Sequence, residues 1–248
     1  MARFLALTCE ALARSIYQIA AETEHTVSVR LFGQGLHNRP KNLRKILQED
    51  INDVAADDFD AILLVYGMCG TSTVGLTAQG TQLVIPRAHD CITLYLGSRE
   101  RYQEEFERHP GTYWYSVDYI ERADKGASVA LGAAGIEETE AQYEEYVQKF
   151  GKETADYLIE EMRKWTQHYT RAAFIDTGLG DTEAYEKMAK DKAERDGWVF
   201  ERINGNRRLL EILINGNWSD DEFLIVPPGY TIRQDAGEKL IKAVPASS

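Results

Sequence analysis

Residues Ala61–Tyr66, Ala-Ile-Leu-Leu-Val-Tyr, form an apolar run with no polar residue in it, closed by Gly67. A run this short and this uniformly apolar suits a strand covered on both faces, as in a parallel sheet flanked by helices. The segments around it repeat the rhythm. Phe4–Thr8 reads as a strand. Glu10–Glu22 carries helical apolar spacing at Leu12, Ile16, Ile19 and Ala20, and Thr26–Phe32 is a β-branched alternating run. Pro40–Ala55 predicts a helix with Pro in its favoured first turn and Leu43, Ile46, Leu47, Ile51 and Val54 on one face. A Gly-, Thr- and Ser-rich loop, Gly67–Gly80, then precedes a short strand, Gln82–Ile85. Parallel neighbours need crossover connections, almost always right-handed, so this βαβαβ succession predicts a parallel sheet.

The rhythm returns near the C-terminus. Arg171–Asp176, Trp198–Ile203 and Glu222–Val226 read as strands, separated by helices over Asp181–Arg195 and Arg207–Ile214, and Pro227-Pro-Gly229 ends the last strand. The fold class is therefore α/β: two Rossmann-like βαβαβ halves with parallel sheets and a helical insertion between them. The expected boundaries are 1–97 for the N-terminal half, 98–169 for the insertion and 170–248 for the C-terminal half. The insertion reads as two or three helices around an extended aromatic stretch, Thr112-Tyr-Trp-Tyr115. Its Gly-rich piece Gly126–Gly135 is read either as a lid over a crevice or as a segment packed on the sheet.

At 248 residues the chain can bury a core without disulfides. Its net charge of −12 repels a phosphate backbone, and no basic patch interleaves with aromatics, which argues against nucleic-acid binding. The acidic stretch Glu137–Glu145 reads as a solvated helix face. No segment approaches the roughly 20 apolar residues of a membrane span, and the N-terminus lacks a signal h-region, so a cytoplasmic protein is expected. Thiols stay reduced there, and a sparse, odd cysteine set then favours metal binding or catalysis over a disulfide framework.

The three cysteines of the chain each fall where a strand ends. Cys9 closes the first strand, Cys69 sits in the Gly67-Met-Cys-Gly70 turn, and Cys91 ends Pro86-Arg-Ala-His-Asp-Cys91. The carboxyl ends of parallel strands line the binding crevice of such a fold. Strands ~4.8 Å apart bring thiolates within reach of one ion at ~2.3 Å. Cys9, Cys69 and Cys91 are the candidate metal ligands, with His89 as fourth ligand or as the catalytic acid or base beside the metal. A thiol facing a helix N-terminus is expected to have a lowered pKa. The plain alternative is that these cysteines fill core space.

Further candidates surround this set. His37-Asn-Arg-Pro40 opens a helix, where anions bind, so His37 and Arg39 are candidate substrate-binding residues; Asn38 as a simple cap is the competing reading. Arg87 carries the same anion-binding reading, against a structural ion pair. Gly67–Gly75 lacks the Lys-Ser/Thr of a Walker A loop. Asp176-Thr-Gly-Leu-Gly-Asp181 follows a strand, and Thr177 there joins the substrate-binding candidates. No Ser-His-Asp or His-Glu-x-x-His arrangement is visible.

Gly35-Leu-His-Asn-Arg-Pro40, Tyr66-Gly-Met-Cys-Gly70, Pro86-Arg-Ala-His-Asp-Cys-Ile92, Gly97-Ser-Arg-Glu-Arg-Tyr102, Pro110-Gly-Thr-Tyr113 and Phe174-Ile-Asp-Thr-Gly-Leu-Gly-Asp181 resemble the DUF1638 family. One departure is Thr71-Ser72, where the family would lead one to expect Asn-Gly. The resemblance implies company with corrinoid-dependent methyltransferases that demethylate methylamines. Locally, His89-x-Cys91 with a further cysteine is similar to the zinc set of cobalamin- and folate-linked methyltransferases, although there the other cysteines lie downstream and the fold is a barrel. The resulting expectation is a zinc enzyme of corrinoid-linked one-carbon metabolism, moving a methyl group to or from a small amine or thiol. Its partners would be that small molecule and a corrinoid protein or methyltransferase. A [4Fe–4S] enzyme with three cysteine ligands and an open iron, resembling quinolinate synthase and the diphthamide-forming enzymes, is the second expectation. A non-catalytic zinc-binding partner of a corrinoid system is the third.

Overall fold

The computed structural model describes residues 1–122, 140–166 and 168–246. The first apolar run becomes β1 (Arg3–Cys9), which pairs in parallel with both β2 (Thr26–Phe32) and β3 (Ala61–Val65). β3 in turn pairs in parallel with β4 (Leu83–Pro86). Every residue of β3 and β4 is buried, whereas β2, at the sheet edge, alternates between exposed and half-buried positions until Phe32. Burying the Ile, two Leu and Val of β3 contributes on the order of 6–12 kcal/mol, which is why this run anchors the sheet.

Helices connect these strands as expected. A short turn of helix, Glu10–Leu12, leads into α1 (Ala13–Glu22), which buries Ala13, Ser15, Ile16 and Ile19. A second short helix, Gln34–Asn38, precedes α2 (Pro40–Asn52), whose Leu43, Leu47 and Ile51 form one buried stripe. After β4 come α3 (Cys91–Leu96) and α4 (Arg99–Arg108).

The chain divides into two units, Met1–Tyr102 with Gly205–Ser248, and Gln103–Asn204. In the second unit β5 (Thr112–Ser116), β6 (Arg171–Asp176) and β7 (Val199–Asn204) form an all-parallel sheet in that order. With them go α5 (Val117–Glu121), α6 (Glu140–Phe150), α7 (Lys152–Thr166) and α8 (Thr182–Asp196). Its core packs Tyr113, Tyr115, Ile120 and Phe174 against Ala189 and Ala193 of α8. Arg171, 3% exposed, is held there by Glu105 at 2.7 Å and Glu201 at 2.8 Å. The chain then returns to the first unit as α9 (Arg208–Ile214), β8 (Phe223–Val226) and a hairpin of β9 (Tyr230–Gln234) and β10 (Ile241–Pro245). The first sheet therefore runs β2-β1-β3-β4-β8, with β8 antiparallel to β4.

The mixed α/β fold with parallel sheets is the one the alternation implied. The units, however, do not divide at 97/98 and 169/170. Thr112–Ser116, read as part of the insertion, is a wholly buried strand, and its aromatic run supplies the partner that β6 needs. The segment read as the last strand of the C-terminal half instead closes the free edge of β4. It buries Phe223, Leu224 and Val226 while Ile225 faces out. The Gly126–Gly135 stretch lies outside the described residues. Among the described residues no helix is long and apolar enough to cross a membrane.

Candidate functional site

From β1 the chain steps to β2 on one side and then crosses to β3 on the other, so the strand order reverses between β1 and β3. At such a point the loops leaving the carboxyl ends part and open a crevice. Cys9 is the last residue of β1, and Cys69 follows β3 in its exit loop. Cys91 opens α3 after β4, and His37 lies in the short helix after β2. Four neighbouring parallel strands thus each deliver one sulfur or imidazole to the same end of the sheet.

The two loops that carry Cys69 and Cys91 are bound to each other. The amide of Met68 donates to the carbonyl of Ala88 at 2.8 Å, and that of Cys69 to the carbonyl of His89 at 2.9 Å. Gly67 makes this approach possible, since a Cβ there would stand 2.7 Å from both N and Cα of Asp90. Cys69 (φ 45°), Gly70 (φ 59°) and Thr71 (φ 77°) are three consecutive left-handed residues. For the two that are not glycine this conformation is strained, by about 1–2 kcal/mol each. The turn is held from several sides: Ser72 Oγ donates to the Cys69 carbonyl at 2.8 Å, and Arg44 Nη2 to that of Thr71 at 2.7 Å. Asp90 caps α3, accepting from the amides of Ile92 at 3.0 Å and Thr93 at 3.2 Å, and the Tyr102 hydroxyl donates to it at 3.3 Å.

Cys9 is 2% exposed, and its Sγ lies 3.2 Å from Nε2 of His37. Burial pushes the Cys9 thiol up to about 12, against the lowering effect of the Ala11 amide. Cys69 and Cys91 are raised as well, by burial first and then by the Asp90 carboxylate; Cys69 also feels the charge of Cys9, and Cys91 that of both Cys69 and Cys9. The expectation of lowered thiol pKa values at these turns is therefore corrected. Backbone N–H groups do point at the sulfurs, but loss of water outweighs them. Burial lowers the pKa of His37, which favours the neutral imidazole. Tyr66, 1% exposed, packs its ring 5.8 Å from that of His37, and its hydroxyl has no hydrogen-bond partner among the described residues.

The remaining candidates fall as follows. His89 is exposed, and its ring stacks on Tyr102 at 5.7 Å, so the imidazole in contact with a cysteine is that of His37. The guanidinium of Arg87, 4% exposed, is engaged in fastening β4 to the C-terminal segment. It donates to the carbonyls of Asp220 (2.8 Å), Lys239 (2.9 Å) and Ile241, and to the Asp220 carboxylate at 3.0 Å. That is the structural ion pair rather than a free anion site. Arg39 is exposed. Thr177 lies in the unit Gln103–Asn204, in a turn where the amide of Gly178 donates to Asp176 at 2.8 Å, whereas the three cysteines belong to the other unit.

Cys9, Cys69, Cys91 and His37 are the side chains able to ligate a soft or borderline ion here. As they stand, no three His, Cys, Asp or Glu side chains among the described residues are gathered tightly enough to hold a metal ion. Tyr66 and the His37–Cys9 contact were not anticipated from the sequence. The available signal was the tyrosine that ends an otherwise aliphatic buried strand.

No curated protein and no solved structure matches the chain. The family model described as "Protein of unknown function (DUF1638)" matches residues 31–214, a span that holds His37, Tyr66, Cys69 and Cys91 and leaves Cys9 before it. That span is well over half of the chain, which belongs to the DUF1638 family.

Proposed function

We propose that the thiol cluster at the strand switch point is a metal centre. In this reading the protein is a zinc-dependent enzyme that transfers a methyl group to or from a small amine or thiol. The observation that carries it is the donor set: three thiols at or just beyond the ends of three neighbouring parallel strands, one of them 3.2 Å from an imidazole. Three thiolates would hold zinc and leave its fourth position open, with the His37 imidazole beside it, and thiols give up their protons to a divalent cation. The donors are spread more widely than a coordination sphere, so loading draws the Cys69 turn and the start of α3 inward. Both lie beyond the strand ends, and the movement must overcome the hydrogen bonds from Ser72 and Arg44 that hold the Cys69 turn. Zinc at an open site supplies Lewis acidity that lowers the pKa of a thiol or amine substrate. The corrinoid-linked setting, with a corrinoid protein or methyltransferase as partner, follows from the family resemblance alone.

A [4Fe–4S] cluster is the second reading, favoured by the cysteine count, since three thiolates and no fourth leave one iron open. Elemental analysis and a visible spectrum on protein purified without oxygen, for wild type and Cys69→Ser, separate the two. About one zinc per chain, lost in the variant, supports the zinc enzyme. About four irons with a broad band near 400 nm supports the cluster. Protein free of either after loading with both metals ends the metal reading.

A further inference from the structure

β2 ends the first sheet, and among the described residues no strand pairs with its outer side. The amide of Thr26 donates to the Ala2 carbonyl at 2.9 Å. Thr26, Ser28, Arg30 and Phe32 therefore bond to β1, and the alternate residues Val27, Val29 and Leu31 turn their N–H and C=O groups outward. Folded chains usually spoil such an edge with proline, lysine, a bulge or a very short strand. β2 has none of these: it keeps unbroken register with β1 over 7 residues, and Arg30 is its one charge. β7, the outer strand of the second unit, exposes both Glu201 and Arg202.

The flanks of β2 are as bare as its edge. On one face α1 packs over β1 and β2, while α9 packs over β3 and β4. Gln18 of α1 turns towards α9, where it accepts from Arg207. Ile16 and Ile19 face the sheet, so Tyr17, about 100° round the helix from Gln18, stands on the flank above the β2 edge, 49% exposed. On the other face Arg30 is paired with Asp50 of α2. The edge thus carries no net charge in a chain of −12.

We propose that β2 is a self-association surface, on which a second copy of this chain adds its own β2 antiparallel about a two-fold axis at Val29. A two-fold interface must complement itself, and this edge does. Val29 faces its own copy and Val27 faces Leu31, each pair exchanging two hydrogen bonds, so all three outward residues are satisfied. Ser28 faces Arg30, so no like charges stand opposite one another. Any other axis slides part of the outward row past the end of the strand, and one at Arg30 also sets two guanidinium groups face to face. The same axis brings the two α1 helices side by side on one face, with Tyr17 between them. The two copies join their sheets into one through a neutral edge, the part of a strongly acidic chain where copies repel each other least. This inference is independent of the metal reading.

Sedimentation velocity of the whole chain over about 1–100 μM tests it. Wild type should pass from monomer to dimer across that range. The amides of Val27, Val29 and Leu31 should exchange freely with solvent in dilute protein and be protected in concentrated protein. Val29→Pro removes an outward N–H and leaves the bonds to β1 in place. It should weaken association about 100-fold, the worth of the two central hydrogen bonds and a ring in the way. Val29→Lys sets two ammonium groups opposite each other on the axis and should do the same; it stands in if circular dichroism shows the proline variant unfolded. Val199→Lys, on the open edge of β7, should associate as wild type does. A wild type that stays monomeric at about 100 μM overturns the proposal. So does a dimer that survives in a folded Val29 variant, one that Val199→Lys also dissociates, or one in which the three amides still exchange freely.

Discussion

Gly67→Ala is the smallest change that should part Cys69 from Cys91. The added Cβ would lie 2.7 Å from N and Cα of Asp90 and 3.0 Å from the Ala88 carbonyl. Carbon contacts settle at ~3.5–4.0 Å, so the 88–90 segment must retreat by roughly 0.8–1 Å. All three obstructing atoms are backbone, and no rotamer change relieves them. The retreat stretches the two bonds that join the loops, Met68 N to Ala88 O at 2.8 Å and Cys69 N to His89 O at 2.9 Å. Overpacking of this kind costs about 1–3 kcal/mol and two weakened hydrogen bonds about 1 kcal/mol more, offset by about 0.5 kcal/mol from the stiffer unfolded chain. A net loss of about 1.5–3.5 kcal/mol lowers the melting temperature by about 3–14 °C for a chain of this size. Thermal melts followed by circular dichroism would read it, in metal-free protein and after zinc loading. The loss should be larger after loading, because the proposed metal centre draws ligands from both loops. Gly70→Ala is the control: it sits in the same turn at φ +59° with nothing within 4 Å of the new Cβ, so only left-handed strain of about 1 kcal/mol opposes it. A Gly67→Ala melt within 1 °C of wild type, or a larger drop for Gly70→Ala, would refute the close-approach argument.

Three further outcomes follow from the charges. With the Cys9 thiol raised from 9.0 to about 12, the folded metal-free protein keeps a proton that the unfolded chain loses. That stability is full below pH 9 and disappears as pH climbs towards 12, at about 1.4 kcal/mol per pH unit; denaturant titrations at pH 8 and pH 10 should show it, and Cys9→Ala should flatten the slope. Arg87→Met leaves the carbonyls of Asp220, Lys239 and Ile241 without their donor, which should cost about 2–4 kcal/mol in a denaturant melt; zinc and thiol binding that also collapse would return Arg87 to the substrate site. In the second unit, burial works against the Asp176 carboxylate, but Arg202 and the Gly178 amide together hold it below the usual carboxylate range. Its contribution, under about 1 kcal/mol because Arg202 is 47% exposed, is present above pH 4 and lost below it, so Arg202→Gln should make the acid limb of the stability profile shallower.

How much of this could be read from the residues depended on how local the deciding physics was. Ala61–Tyr66 announced a doubly covered strand because its uniform apolarity admits little else, and Pro40 with Leu43, Leu47 and Ile51 announced α2 the same way. Pairing was another matter. Nothing within Thr112–Ser116 says that its partner lies at Arg171–Asp176, and nothing within Phe223–Val226 says that it will run antiparallel against β4. Both follow from which sheet edges stay open once the other strands have docked, a property of the assembled layers. The β9–β10 hairpin escaped for a related reason: Tyr230–Gln234 keeps only Thr231 and Ile232 buried, too little apolar pattern to announce a strand.

The site divides along the same line. Strand ends are legible in the residues, and they place the three cysteines at one end of the sheet. The choice of histidine is not legible, and the His89-Asp-Cys91 spacing pointed the wrong way for a physical reason. Asp90 must turn inward to cap α3 through the amides of Ile92 and Thr93. That demand fixes the path of the turn, and in it the His89 ring goes out to solvent against Tyr102. His37, far away in sequence, is brought onto Cys9 by the helical turn that follows β2. The sign of the thiol shifts failed similarly. A helix start is visible in the residues, whereas desolvation is set by everything packed above the sulfur, and here desolvation is the larger effect. Three protonated thiols, one buried and two half-buried, beside a neutral imidazole carry no charge to hold them together. On the proposed reading a cation completes the site, and proton release on metal uptake, near three per ion if all three thiols ligate, is the sharpest single number by which that reading stands or falls.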